Sequence, residues 1–225
     1  MSTIAVSGGT GGLGRAIVDG LNAAGKSTVV VLSRESTKEK EKELGARMIA
    51  VDYNEVASVS AVLEKNNIDT VICTLSAPGP EAELALISAV EKSRVTNRYI
   101  PAIWSIPYNS ITTTGSKITT RPVSQALGDI PVVLTHTSDV AKFVAAYMER
   151  PTWDKEAYII GNRLTLNELI RLVEEAKGVK FTVTHDSVDD LSAGKVTELP
   201  SHPPAYAVFP KESLQGFLAG FDCWR

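Results

Sequence analysis

The sequence contains few of the residues on which metal sites, disulfide scaffolds and nucleic-acid surfaces depend. Only two cysteines and three histidines occur among 225 residues, and Cys73 and Cys223 do not have metal-ligand spacing. The net charge of -3 provides no excess of positive charge for nucleic acid or an anionic membrane. We therefore expect no metal site, no nucleic-acid partner and no membrane partner, and we expect both cysteines to be packing residues in a reducing compartment.

Long apolar runs are absent as well. No stretch of 18 apolar residues occurs, and the first predicted strand begins at Thr3, which leaves no room for a secretory signal before it. The length and the hydrophobic content of 44% suffice for a substantial core without disulfides. These features predict a soluble, cytoplasmic protein.

What the sequence does contain is an alternation of short β-branched runs and longer segments with helical spacing, which is typical of βαβ units. The predicted strands are continuous apolar runs, as expected of parallel strands that are buried on both faces. We therefore predict an α/β fold: a Rossmann-type doubly wound parallel sheet with a smaller, irregular C-terminal α+β region. The predicted strands cover residues 3–6, 27–32, 47–51, 70–75 and 99–104, and the predicted helices cover residues 13–24, 35–44, 56–66 and 81–93.

The second half of the chain is less regular, and residues 105–130 contain no amphipathic stretch of helix length. Thr165 with Glu168 three residues later predicts a capping box at a helix start. Further strands are predicted at 132–136, 158–160 and 181–184, and further helices at about 138–149 and 211–221. The helix after residue 137 is predicted to bury Val140, Phe143, Val144 and Tyr147. We place a Rossmann domain at 1–136, and the remaining Rossmann elements with a small substrate domain at 137–225.

The first strand-to-helix turn has the spacing G-x-x-G-x-x-G. Its glycines predict a tight turn after the strand, a backbone free of Cβ atoms beside a pyrophosphate, and close packing of helix on sheet. The helix N-terminus then receives the phosphate charge. A glycine turn without a ligand is the alternative, but the strand, motif, helix and second strand in register favour a dinucleotide site. The predicted cofactor-binding residues of this turn are Gly8, Thr10, Gly11, Gly12, Leu13 and Gly14.

The end of the second strand predicts which dinucleotide binds. An acidic residue there would hold the ribose 2′-OH of NAD, whereas this chain has Ser33 and Arg34, which suit a 2′-phosphate. Glu35 follows directly, and a solvated loop charge is the alternative for Arg34. Asp52 and Tyr53 stand where such folds line the adenine, although Asp52 is equally well explained as a cap of the following helix. NADP(H) is therefore predicted over NAD(H), and Leu75 and Ser76 complete the predicted cofactor-binding set.

Several segments together resemble the NmrA-like and isoflavone-reductase-like branch of the atypical short-chain dehydrogenases. They are residues 4–15 with the glycine turn, Leu32-Ser33-Arg34, residues 70–76, Arg98-Tyr99-Ile100-Pro101 with Pro107-Tyr108, residues 135–141 and residues 209–212. The resemblance implies a Rossmann domain with a smaller C-terminal substrate domain and NADP(H) as cofactor. It further implies either reduction of a small organic molecule, aromatic or polyketide-like, or sensing of the nucleotide without chemistry.

The chain departs from this pattern in its catalytic residues. No tyrosine is followed by lysine four positions later, so the Tyr-x-x-x-Lys proton-donor pair is missing. The resemblance also implies a lysine-bearing helix after the fifth strand, for which the segment after Tyr108 has no match. Either the protein is shorter than the proteins it resembles, or the sequence omits segments that are present in the molecule. Tyr108 and Lys117 are the remaining weak catalytic candidates, His136 is predicted to be structural, and the protein is expected to be a monomer or a weak homodimer.

Overall fold

The chain divides into two compact units, formed by residues 1–109 with 135–161 and by residues 110–134 with 162–225. The computed structural model describes residues 1–75, 81–104, 127–129, 131–183, 185–207 and 209–222. The first unit takes up the chain again at residue 135, so Rossmann elements continue beyond residue 136.

The first unit is built on a five-stranded parallel sheet with the strand order β3-β2-β1-β4-β5. The chain leaves β1 toward one side of the sheet and returns through β4 on the other. This order confirms the predicted Rossmann-type α/β fold, and it makes the gap between β1 and β4 the switch point where such sheets bind ligands. The strands are β1 (Thr3–Ser7), β2 (Thr28–Ser33), β3 (Arg47–Ala50), β4 (Ile68–Cys73) and β5 (Arg98–Ile100).

Helices cover both faces of this sheet. Alternate residues of a strand point to opposite faces, so one strand can contribute to the buried clusters on both sides. Ile4 and Val6 of β1 belong to one buried cluster and Ala5 to the other. The first cluster includes residues of α1, α2 and α5, and the second includes residues of α3 and α4. The helices are α1 (Gly12–Ala24), α2 (Lys38–Leu44), α3 (Val56–Lys65), α4 (Glu81–Lys92) and α5 (Thr137–Met148).

The buried face of α5 differs from the predicted one. Phe143 was expected inside but is 47% exposed, and the buried residues are Ala141, Val144 and Ala145. The small side chains face α1, where a Cβ added to Gly20 would lie 3.0 Å from the Cβ and the carbonyl oxygen of Ala141. The two helices therefore approach so closely that only small residues fit between them, and the large ring is left outside.

The second unit contains a two-stranded antiparallel sheet of β6 (Pro131–Leu134) and β7 (Asn162–Thr165). The predicted capping box is confirmed at the start of α6, where Thr165 and Glu168 bond to each other's backbone N–H groups. The helices are α6 (Leu166–Lys177), α7 (Val188–Ser192), α8 (His202–Ala205) and α9 (Lys211–Asp222). None of the helices in the described ranges is long and apolar enough to cross a membrane.

Two predicted strands do not form and the fifth ends early, and in each of these segments a side chain hydrogen-bonds to the backbone. Residues 158–160 form no strand, because the Thr135 hydroxyl bonds to the carbonyl oxygen of Ile159 and to the N–H of Gly161. Residues 181–183 form none either, since the Phe181 N–H donates to Glu174. The fifth strand was predicted to reach residue 104 but ends at Ile100, and the Ala102 N–H donates to Glu83.

Candidate functional site

The glycine turn lies at the carboxyl end of β1, beside the switch point. Gly8 has a φ of +82°, which residues with a side chain rarely adopt. Its N–H donates to the carbonyl oxygen of Leu32 at 3.3 Å. The Gly11 N–H then donates to the carbonyl oxygen of Gly8 at 3.0 Å, which closes the turn. The turn therefore leads the chain directly from β1 into α1.

The space around the glycines divides them into two groups. A Cβ on Gly14 would lie 2.3 Å from the carbonyl oxygen of Gly8, so this position packs the helix against the turn. A Cβ on Gly11 would have only that same oxygen nearby, at 3.5 Å, and a Cβ on Gly12 would have no described atom within 4 Å. Thr10 is exposed and Leu13 is partly buried. The open side of the turn is where a pyrophosphate can approach the backbone.

The start of α1 is suited to an anion. A helix leaves its first N–H groups without intrahelical partners, and the N-cap Gly11 has no side chain to satisfy them. The first turn carries no acidic residue. The helix dipole and these N–H groups together favour a bound phosphate.

An open cleft of about 410 Å³ lies at the ends of β2 and β3, lined by Arg34, Ala50, Val51 and Asp52. Arg34 is exposed and Ser33 is half-buried. Within the described ranges, Arg34 forms no ion pair. The Asp52 carboxylate accepts hydrogen bonds from the N–H and the side-chain amide of Asn54, so it caps a turn and also lines the cleft.

Tyr53 is placed beneath the site, where it is only 6% exposed. Its hydroxyl lies 2.6 Å from Ser7 Oγ and donates to the carbonyl oxygen of Leu32 at 3.1 Å. Burial raises the pKa of Tyr53 to about 12, while the hydrogen bond with Ser7 lowers it in part. The hydroxyl is therefore neutral at physiological pH and is bonded within the protein.

Two contributors to the site, Ser7 and Thr74, were not predicted from the sequence. Thr74 donates to the carbonyl oxygen of Ser7 from both its N–H and its hydroxyl, each at 2.8 Å, and so ties β4 to the start of the glycine turn. A polar residue directly after the apolar run of β4 was the signal that could have identified Thr74. Leu75 follows, partly buried against the second core cluster.

Tyr99 of β5 and Glu83 of α4 form a partly buried polar contact beside β4 and β5. The Tyr99 hydroxyl donates to Glu83 at 3.2 Å, and burial raises the pKa of Tyr99 well above its usual range. Burial likewise raises the pKa of the Cys73 thiol. Cys73 is fully buried in the second core cluster, which gives it the place of a packing residue.

The remaining predicted residues divide into those that the structure describes and those that it does not. Tyr108 and Lys117 lie outside the described residues, as does Ser76 of the predicted cofactor-binding set. His136 is the N-cap of α5, and its Nδ1 accepts from the Ser138 N–H. Across the ranges that the structure describes, no group of three or more histidine, cysteine or acidic residues could hold a metal.

Residues 8–103 match the family model described as NAD(P)H-binding. This segment is an NAD(P)H-binding domain. It begins at Gly8, extends through the cleft at Arg34 and ends just past β5, so the glycine turn and the cleft both belong to it.

Relatives and solved structures extend the similarity beyond this NAD(P)H-binding domain. The chain is 27% identical to Oxidoreductase BOA1 of Botryotinia fuckeliana, over 98% of this chain and 89% of the relative. It superposes with a TM-score of 0.69 on a leucoanthocyanidin reductase–NADPH complex from Vitis vinifera, at 15% identity, covering 99% of this chain and 86% of that one. A structure titled AtPrR2 with NADP+ and (+)pinoresinol gives a TM-score of 0.65 at 21% identity, covering 95% and 89%.

These findings confirm the resemblance to the NmrA-like and isoflavone-reductase-like proteins. The chain has an NAD(P)H-binding, oxidoreductase-like fold. The alignment with the Botryotinia relative extends over 272 residues, more than the 225 of this chain. Within the aligned region the relative therefore carries residues without a counterpart here.

Proposed function

We propose that the protein is an NADP(H)-dependent reductase of a small organic compound, aromatic or polyketide-like. The observation that carries this proposal is the pairing of two features at one sheet edge: a glycine turn that is open at Gly11 and Gly12, and a cleft lined by the exposed Arg34. NADPH is bound in a neighbouring structure, and the curated relative is named as an oxidoreductase, which supports the same function.

The preference for NADP(H) rests on the charge at the end of β2. Arg34 lines the cleft where the adenosine ribose of a dinucleotide would lie, and Ser33 next to it offers a hydroxyl. A guanidinium binds a phosphate through charge-assisted hydrogen bonds, which are about twice as strong as neutral ones. The carboxylate that would hold the 2′-OH of NAD is absent from the end of this strand.

Three parts of the bound cofactor then have proposed partners. The N–H groups from Gly12 to Gly14 would receive the pyrophosphate, Arg34 and Ser33 the 2′-phosphate, and the wall at Asp52 the adenine. Bound NADPH would supply a hydride, and residues of the first unit would hold the cofactor in place.

The test has two measurements on the purified protein. Isothermal titration should give a lower dissociation constant for NADPH than for NADH. Loss of NADPH absorbance should then appear with one member of a panel of carbonyl and enone compounds. Tighter binding of NADH would overturn the cofactor preference.

The second candidate is a regulatory protein that senses the dinucleotide without turnover. It is favoured by the absence of Tyr-x-x-x-Lys from the sequence and by the residues that the Botryotinia relative has in addition. Tight NADPH binding with no oxidation across the whole panel would support this function over the reductase.

A further inference from the structure

One hydroxyl group beneath the glycine turn joins the ends of three neighbouring strands. Tyr53 follows β3, Ser7 ends β1, and Leu32 is the penultimate residue of β2. The Tyr53 hydroxyl donates to the Leu32 carbonyl oxygen, so in the 2.6 Å contact the Ser7 hydroxyl is the donor and the Tyr53 oxygen the acceptor. The same Leu32 oxygen accepts from the Gly8 N–H.

Ser7 is held from the opposite side as well. Its carbonyl oxygen accepts two hydrogen bonds of 2.8 Å from Thr74. The last residue before the turn is thus fixed by β4 through its backbone and by Tyr53 through its side chain. Gly8, with its left-handed backbone, begins directly after this fixed point.

We propose that Tyr53 is a positioning residue for the dinucleotide, whose hydroxyl fixes Ser7 and Gly8 and thereby keeps the first N–H groups of α1 directed at the pyrophosphate. The proposal rests on the proposed function. With 6% of the residue exposed and its hydroxyl bonded to Ser7 and Leu32, Tyr53 acts through these residues and not through its hydroxyl on the cofactor.

The 2′-phosphate end of the cleft does not depend on this hydroxyl. The Val51 N–H donates to the Ser33 carbonyl oxygen at 2.9 Å, and β2 pairs with β3 from Val30 to Ser33. These backbone bonds hold Arg34 and the cleft wall in place without Tyr53. Removal of the hydroxyl should therefore weaken binding at the pyrophosphate and leave the 2′-phosphate contact intact.

The experiment compares two ligands on Tyr53→Phe by isothermal titration. The dissociation constant for NADPH should rise about tenfold, since one buried donor is lost and the Ser7 hydroxyl loses its acceptor. The dissociation constant for adenosine 2′-monophosphate, which has no pyrophosphate, should stay unchanged. General loosening of the fold would weaken both ligands alike, and that result would overturn the proposal, as would an unchanged affinity for NADPH.

Tyr99→Phe is the matched control, because it also removes a tyrosine hydroxyl from the sheet region, but one bonded to Glu83. It should leave both affinities unchanged. Ser7→Ala gives a second route should Tyr53→Phe fail to fold, since it removes Ser7 from the network and preserves the bond from Tyr53 to Leu32. It should show the same split between the two ligands, and equal loss of both would contradict the proposal. Wild-type protein that binds no NADPH would instead overturn the proposed function.

Discussion

At the scale of single residues, the glycine turn places one residue type in different physical situations. Gly8 is required by its backbone angle and Gly14 by the carbonyl oxygen 2.3 Å from its Cβ position, whereas Gly11 has room on its own side of the turn. The motif predicted all three as members of a cofactor turn. The stability lost when each glycine is replaced depends on distances across the turn, and the spacing of the glycines in the sequence does not give these distances.

Gly11→Val should abolish NADPH binding and leave the fold nearly as stable as in the wild type. The backbone of Gly11 is extended, at φ -82° and ψ 168°, which a branched residue adopts without strain, and the Cβ enters the space reserved for the pyrophosphate. Calorimetric titration and thermal unfolding measure the two effects. Gly14→Ala is the contrasting variant and should lose stability; a folded Gly11→Val protein with normal affinity would show that the turn does not receive phosphate.

Arg34→Ala should remove most of the preference for NADPH over NADH. A charge-assisted hydrogen bond to the 2′-phosphate is worth about 1.5 to 3 kcal/mol, or roughly one to two powers of ten in affinity. NADH affinity should change little, because NADH lacks that phosphate. Retention of the selectivity by the variant would assign the 2′-phosphate to another residue.

The alkaline stability of the protein should depend on Tyr53. Its pKa is raised from 10.0 to about 12, so the folded state holds this proton more tightly than the unfolded state between these values, and stability falls as the pH rises through them. The loss amounts to about 3 kcal/mol. Urea unfolding of the wild type should therefore weaken more between pH 10 and pH 12 than that of Tyr53→Phe. If the free energies of unfolding of the two proteins fall equally over this pH range, ionisation of Tyr53 does not destabilise the folded state and the prediction is wrong.

At the scale of helices and strands, the sequence predicted the existence of the elements better than their faces and ends. β1, β2 and β4 follow from their continuous apolar runs, and α1, α3 and α4 follow from apolar residues at helical spacing, whereas α2 was expected from a charged stretch and buries only Leu44. The face of α5 does not follow, since Phe143 is more hydrophobic than Ala141 and yet the closeness of α1 decides which is buried. The strands predicted at 158–160 and 181–184 and the predicted end of β5 are wrong. Near these segments Thr135, Glu174 and Glu83 form hydrogen bonds to backbone groups.

Gly20→Ala should test this close contact between α1 and α5. Glycine to alanine inside a helix ordinarily gains about 0.5 to 1 kcal/mol. At Gly20 the new Cβ meets Ala141 at 3.0 Å, so the gain should disappear and the free energy of unfolding should fall. Gly216→Ala in α9 is the control, because no described atom lies within 4 Å of its Cβ position, and it should stabilise the protein. A stabilised Gly20→Ala variant would mean that the helices yield easily.

At the scale of the whole molecule, the predicted cofactor residues that the structure describes fall in the first compact unit. The glycine turn and the residues of the cleft could be anticipated because the first four βα units follow one another without interruption, whereas the hydrogen bonds of Tyr53 to Ser7 and Leu32 were not predicted. The structure of the predicted substrate region could not be anticipated, since residues 105–130 carry no amphipathic pattern of helix length in the sequence.

Saturating NADPH should therefore stabilise the first unit. At a concentration a hundred times the dissociation constant, a ligand that binds only the folded state adds about 2.7 kcal/mol. Hydrogen exchange should slow at residues 8–15 and 32–36 when NADPH is added, and NADH at the same concentration should protect residues 8–15 less. Uniform protection across residues 162–222 with none at the glycine turn would contradict the location of the site.

The order in which the first unit is assembled during synthesis follows from the position of α5 in the chain. On the ribosome, the face of the sheet covered by α3 and α4 is complete once residue 102 has emerged, but the opposite face waits for Ala141, Val144 and Ala145. Translation at about 5–20 residues per second leaves Ile4, Val6 and Ile72 without α5 for several seconds. The nascent chain thus passes through a state in which α1 and α2 lie on this face but α5 does not yet cover it, and the arrival of α5 ends that state.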